Sequence, residues 1–135
     1  MTSEKYRKVS RWSAITINYQ RFIAKTRYDP TAQMIQEFQC LKVTFDGWQP
    51  MYCRFLEAKA RYDQFFKDNK PKKWWVGRYS ARNQAERHQT VCDALEGTPH
   101  VEWHFLQPIS YGYFKVLFSK YKNISVHYTP CNSLI

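Results

Sequence analysis

The sequence predicts an α+β domain, an antiparallel sheet with helices mainly on one face. Three observations predict it. Apolar residues change along the chain from strand-like alternation to helical spacing and back. Strand-like and helix-like stretches are interleaved, as in two-layer α+β folds. The chain has 135 residues, 44% of them hydrophobic and 18% aromatic, enough to bury one core and unlike the composition of a disordered chain.

The elements follow in order. Residues 12–19, WSAITINY, combine β-branched and aromatic side chains and predict a strand. Asp29-Pro30 has the form of a helix start, with Met34, Ile35, Phe38 and Leu41 at helical spacing behind it. Leu41, Val43 and Phe45 alternate with polar residues and suggest a switch to strand, and Asp46-Gly47 marks a turn. From Pro50 to Asp68 the stripe Met51, Phe55, Ala58, Tyr62, Phe65 predicts a helix, with Lys59, Arg61, Asp63 and Lys67 off the stripe. A basic loop broken by Pro71 follows, and 74–79 read as a strand. Residues 82–95 predict a helix stopped at Gly97, 100–106 a strand, 111–122 a helix and 124–128 a last strand. This order suits a ferredoxin-like or RRM-like sheet. There is no internal repeat or linker, so 1–135 is expected to be a single basic domain.

The charge balance narrows the partners. Lys and Arg number 21 against 11 Asp and Glu, a net charge of +10. Such a surface attracts polyanions, and nucleic acid is the expected one; an anionic membrane surface or an acidic protein partner is the alternative, and a homo-oligomer or a host protein partner is left open. The segment from Phe66 to Arg87 places Lys67, Lys70, Lys72, Lys73, Arg78, Arg82 and Arg87 around Trp74, Trp75 and Tyr79. Cations hold phosphates, and an exposed tryptophan offers bases a stacking platform, so Trp74 joins the candidate nucleic-acid-binding residues. No run of about 18 apolar residues occurs, so no membrane span is expected. The charged start, MTSEKYRKVSRW, lacks the apolar core of a secretory signal. Four dispersed cysteines read as reduced thiols, and an intracellular setting, cytoplasm or nucleus, is expected. His88 and Cys92, four apart, could join Cys40 and Cys53 around zinc, but their spacing is not that of a zinc site and buried thiols explain them more simply.

The stretch EGTPHVEWHFLQP carries the most chemistry. On a strand, His100, Glu102 and His104 share one face, while Val101, Trp103 and Phe105 share the other. Two imidazoles and a carboxylate on one face can hold a divalent cation; a solvated polar face is the simpler reading. EGTPHVEWHF resembles the second motif of the HUH-type rolling-circle replication initiators, the Rep endonucleases. RWSAITINY is similar to their first motif, and WWVGRY resembles the strand before the second. The resemblance implies an RRM-like sheet and Mg²⁺ or Mn²⁺ held by His100 with Glu102 or His104, in either of two registers. It also implies a tyrosine nucleophile that nicks single-stranded or hairpin DNA and stays on the 5′ end. No Tyr-x-x-Lys follows residue 107, so Tyr111, one turn before Lys115, and Tyr113 are the candidate nucleophiles. The competing expectation is a non-enzymatic viral accessory protein that binds nucleic acid or a host protein.

Overall fold

The computed structural model describes residues 1–134. The strands are β1 (Thr2–Lys8), β2 (Tyr28–Asp29), β3 (Met34–Cys40), β4 (Val43–Phe45), β5 (Gly47–Gln49), β6 (Arg54–Lys59), β7 (Phe66–Lys67), β8 (Lys70–Pro71), β9 (His100–Phe105) and β10 (Ile124–Tyr128). The helices are α1 (Ala14–Ala24), α2 (Gly77–Ala94) and α3 (Pro108–Leu117). The α+β class stands. Among the described residues no helix is long and apolar enough to cross a membrane.

The central sheet has the order β10-β9-β6-β5. It is mixed rather than wholly antiparallel: β9 pairs in parallel with both β6 and β10, and β5 closes the edge antiparallel to β6. Parallel neighbours need a crossover, and α2 and α3 supply the two crossovers into and out of β9. Both helices cover the face built by Phe55, Val101, Trp103 and Phe105, with Ala85, Val91, Phe114 and Phe118 packed against it. Helix α1 covers the opposite face through Tyr19 and Ala58, and the Tyr19 hydroxyl donates to the Thr129 carbonyl at 2.8 Å. A second sheet pairs β3 with β1 on one edge and with β2 and β4 on the other.

Four expected elements differ. Residues 14–24 form α1 instead of a strand, because Ser13 caps the helix by accepting from the Thr16 N–H at 3.2 Å, and Ile17 and Tyr19 are buried along it. Residues 34–40 are a strand. Asp29 Oδ1 accepts from the Thr31 and Ala32 N–H groups in a tight turn, which sends the chain back along β2 rather than into a helix. The expected helix at 50–68 is a 3-10 turn, β6 and a second 3-10 turn. Trp74 precedes the helix that begins at Gly77, so 74–79 is not a strand. The elements at 82–95, 100–106, 111–122 and 124–128 stand with shifted ends, and Gly97 terminates α2 at a φ of +71°.

Between β4 and β5 the chain passes from one sheet to the other at Asp46-Gly47. A Cβ on Gly47 would lie 2.8 Å from Ala24 Cβ and 3.2 Å from Leu56 Cβ. Glycine therefore lets α1 seat closely on β5 and β6.

Candidate active site

β5 pairs with β6 only at Arg54, Phe55 and Leu56, leaving the outer edge of residues 57–59 without a neighbouring strand among the described residues. A backbone N–H left there needs a partner. Asp46 provides it: its Oδ2 accepts from the Ala58 N–H at 2.7 Å. The same contact fixes the Asp46 carboxylate beside β6.

Strand alternation puts Phe55, Glu57 and Lys59 on one face. Phe55 enters the core, and the two charged residues continue its line toward the cleft. Lys59 Nζ lies 3.0 Å from Glu57 Oε2. From α2, Gln84 Nε2 donates to Glu57 Oε2 at 2.7 Å, and Gln84 Oε1 accepts from Lys59 Nζ at 2.9 Å. Glu57 Oε1 is buried and has no hydrogen-bond partner. Glu37, on β3, also lines the cleft and accepts from Arg7 Nε at 3.1 Å.

These groups meet in a cleft of about 620 Å³. Its interior carries Glu37, Asp46, Glu57 and Lys59; exposed Lys42, Arg61 and Arg87 stand at its rim. Burial raises the Asp46 carboxyl well above the usual aspartate range, and the Glu57 carboxylate adds to this. Burial and the same neighbour raise Glu37, against the pull of Arg7. Burial would lower the Lys59 ammonium, but Tyr62, Glu57 and Asp46 outweigh it, and the group is held protonated. A cationic ammonium therefore sits 3.0 Å from the Glu57 carboxylate, with Asp46 lining the same pocket.

Among the described residues no group of three or more His, Cys, Asp or Glu side chains is arranged to hold a metal ion, so the oxygens of this cleft are a partial set for a hard divalent cation. Such ions take oxygen ligands. The buried Glu57 Oε1 is an unpartnered acceptor, and the Asp46 carboxyl near it feels a like charge that a cation would relieve.

The residues expected from the sequence lie elsewhere. His100, Glu102 and His104 do share one face of β9, but it is the face opposite Glu57 and Lys59. There His104 Nε2 and Glu102 Oε1 are hydrogen-bonded at 2.9 Å, and Arg54 lies 3.2 Å from Glu102 Oε2. His104 Nδ1 is taken by Thr129 Oγ1 at 2.7 Å. His100 Nε2 bonds Ser125 Oγ at 2.9 Å, and Ser125 Oγ bonds His127 Nε2 at 2.7 Å. Tyr111 and Tyr113 pack on the hydrophobic core from α3, Tyr111 against Tyr128 and Tyr113 against Phe66. None of these five residues lines the cleft.

Lys67 and Lys70 pair across the β7–β8 hairpin, and Lys72, Lys73 and Trp74 follow directly. Trp74 is 66% exposed and meets Phe65, a cleft-lining residue, edge to face at 6.3 Å. Arg78 and Arg82 flank Tyr79 on the first turns of α2. His88 is buried: it accepts from Trp103 Nε1 at 3.1 Å and stacks on Phe45, and burial lowers its pKa to about 4. All four cysteines are free, and burial pushes the Cys92 thiol up to about 11.

The Asp46, Glu57 and Lys59 cluster was not foreseen from the sequence. Its signal was present: Glu-Ala-Lys after Phe55-Leu56 has strand alternation, but the apolar stripe at i, i+3 and i+4 masked it.

No curated protein matches the sequence significantly. A family model described as restriction endonuclease fold toxin 5 matches residues 16–108, more than half of the chain and a span that contains every member of the acidic cluster. The match supports a nuclease-like domain and does not single out the Rep endonucleases, whose first motif here lies on α1 and not on a strand. The chain belongs to the restriction endonuclease fold toxin 5 family.

Proposed function

We propose that the chain is a divalent-cation-dependent endonuclease that hydrolyses phosphodiester bonds in the cleft beside β6. The observation that carries this reading is the convergence of Asp46, Glu57 and Lys59 at an unpaired strand edge, with Glu57 Oε1 unpartnered.

Asp46 and Glu57 are the residues that would hold Mg²⁺ or Mn²⁺; restriction endonuclease folds typically use such ions. When bound, the ion supplies Lewis-acid polarisation of a phosphoryl oxygen and lowers the pKa of water. Lys59 is the fixed positive charge of the site. Its ammonium faces the place where negative charge grows on the phosphoryl oxygens, and a preorganised charge in a partly dry cleft stabilises that growth. Gln84 holds Glu57 and Lys59 in register with each other. Hydrolysis forms a bond from a water oxygen to phosphorus and breaks one P–O ester bond. The departing oxygen takes up a proton.

Lys42, Arg61 and Arg87 at the rim hold the flanking phosphates, and the hairpin carrying Lys67, Lys70, Lys72, Lys73 and Trp74 extends this basic surface away from the cleft. An exposed indole among lysines suits an unpaired base. The family's description as a toxin fits nucleic acid as the target that is damaged.

The experiment is cleavage of plasmid and single-stranded DNA, and of RNA, with Mg²⁺ present or chelated, for the unaltered chain and Glu57→Gln. Cleavage that needs both the cation and Glu57 supports the reading. The tyrosine nickase is a second reading, motivated by the shared face of His100, Glu102 and His104. It requires a protein-linked 5′ end that Tyr111→Phe or Tyr113→Phe removes.

A further inference from the structure

Gln20 is buried to 3% exposure, yet its amide nitrogen has no hydrogen-bond partner. Buried polar groups are almost always paired, so an exception at the wall of a candidate active site calls for an explanation. Thr16 and Gln20 lie one turn apart on α1, and both line the cleft that holds Asp46, Glu57 and Lys59. Thr16 is engaged locally, its hydroxyl 3.0 Å from Ser13 Oγ. The Gln20 amide nitrogen is the unused donor; it is enclosed by protein, so an acceptor in the cleft reaches it through a shift of the surrounding side chains.

The choice of a neutral donor here has a physical reason. Two of the cationic side chains in this cleft are held by its acids: Arg7 by Glu37 at 3.1 Å, and Lys59 by Glu57 at 3.0 Å. An amide carries no net charge and is not drawn into an ion pair, so its N–H is left without a partner. The acceptor that a nuclease brings into this space is a backbone phosphate oxygen.

We infer that Gln20 is a substrate-contacting residue whose amide N–H donates to a phosphate oxygen of the nucleic-acid strand in the cleft. This inference rests on the nuclease reading and adds a contact from α1 to the strand-borne groups. A hydrogen bond to a charged acceptor is among the stronger ones, and losing it is expected to weaken binding about tenfold or more. Because Gln20 bears no charge, the salt dependence of binding keeps its slope.

The test compares the unaltered chain with Gln20→Met, Gln20→Leu and Gln20→Glu. KM and kcat are measured with Mg²⁺ on an oligonucleotide substrate, and Kd for the same oligonucleotide is measured in the Glu57→Gln background across a salt series. The expected result is a rise of about tenfold or more in KM and Kd for Gln20→Met and Gln20→Leu, with an unchanged salt slope and an unchanged or higher Tm. Gln20→Glu should lose more, because a carboxylate repels phosphate. If both apolar variants fold and keep the KM and Kd of the unaltered chain while that chain cleaves, the inference about Gln20 is wrong and the nuclease reading stands. If the unaltered chain neither binds nor cleaves any oligonucleotide, both are wrong. Gln20→Met, nearly the same in volume, keeps the comparison open if Gln20→Leu unfolds.

Discussion

Gln84 Nε2 donates a 2.7 Å hydrogen bond to Glu57 Oε2 across the gap between α2 and β6. The other end of the same amide accepts from Lys59 Nζ at 2.9 Å. One side chain thus fixes which Glu57 oxygen faces the ammonium and which is left free. In the proposed site Gln84 is a positioning residue. Outer partners of this kind typically change affinity or activity by about 10–100-fold when removed. Gln84→Ala is expected to lower cleavage within that range with little change in oligonucleotide Kd. Steady-state kinetics and a binding titration in the same buffer check this; an equal loss in Kd would mean that Gln84 serves binding instead.

Asp46 couples function to stability. Its carboxyl is raised by burial and by Glu57, so the folded chain holds that proton to higher pH than the unfolded chain does. The stabilisation from this group is fully present below the ordinary aspartate range and is lost as pH rises through the elevated folded value. Asp46→Asn keeps an acceptor for the Ala58 N–H and removes the charge. It is expected to raise the cation-free Tm at pH 7 relative to the unaltered chain, with the difference shrinking toward about pH 3. Cleavage should fall by about 100-fold or more, the usual scale for losing one electrostatic group of an active site. Mg²⁺ should stabilise the unaltered chain and leave Asp46→Asn almost unmoved.

The sequence and the structure part company at instructive places. The α+β class, β9, β10, α3 and most of α2 were legible because their apolar periods are clean: Val101, Trp103 and Phe105 alternate without interruption. β6 was not legible because Glu57 and Lys59 occupy inward positions that a structural strand would give to apolar residues. Sites are where local patterning breaks for function. The β-rich composition of residues 12–19 was overridden by the Ser13 cap and by burial against β6. Asp46 was legible only as a turn. Its role depends on where β5 begins, which no local pattern records. The shared face of His100, Glu102 and His104 followed from alternation, but which side of the sheet holds the cleft did not.

The hairpin and Trp74 should contribute affinity in separable ways. Changing Lys70, Lys72 and Lys73 together to Ala is expected to flatten the plot of log K against log salt by about 2–3, at about 0.7–0.9 per lost phosphate contact. Trp74→Ala should cost about 1–3 kcal/mol on single-stranded substrates and leave the salt slope alone. Fluorescence anisotropy over a salt series separates the two effects; no change in either variant would remove the hairpin from the interface.

Gly47→Ala tests the link from fold to site. The added methyl would meet Ala24 Cβ at 2.8 Å and press α1 away from β6. Overpacking of this kind costs about 1–3 kcal/mol. A lower Tm together with a raised KM is expected, since α1 carries Gln20 at the cleft wall. Denaturant melts and kinetics on the same preparation check it.

The central claim is that the cation and the chemistry belong to Asp46 and Glu57. The most direct measurement is Mn²⁺ calorimetry, paired with Mn²⁺-dependent DNA cleavage, on the unaltered chain, on Asp46→Asn with Glu57→Gln, and on His100→Ala with His104→Ala. The account predicts that the heat of binding and the cleavage both vanish in the Asp46 and Glu57 variant and both persist in the histidine variant. Persistence of both in the Asp46 and Glu57 variant, with loss in the histidine variant, would contradict it and return the site to the opposite face of the sheet.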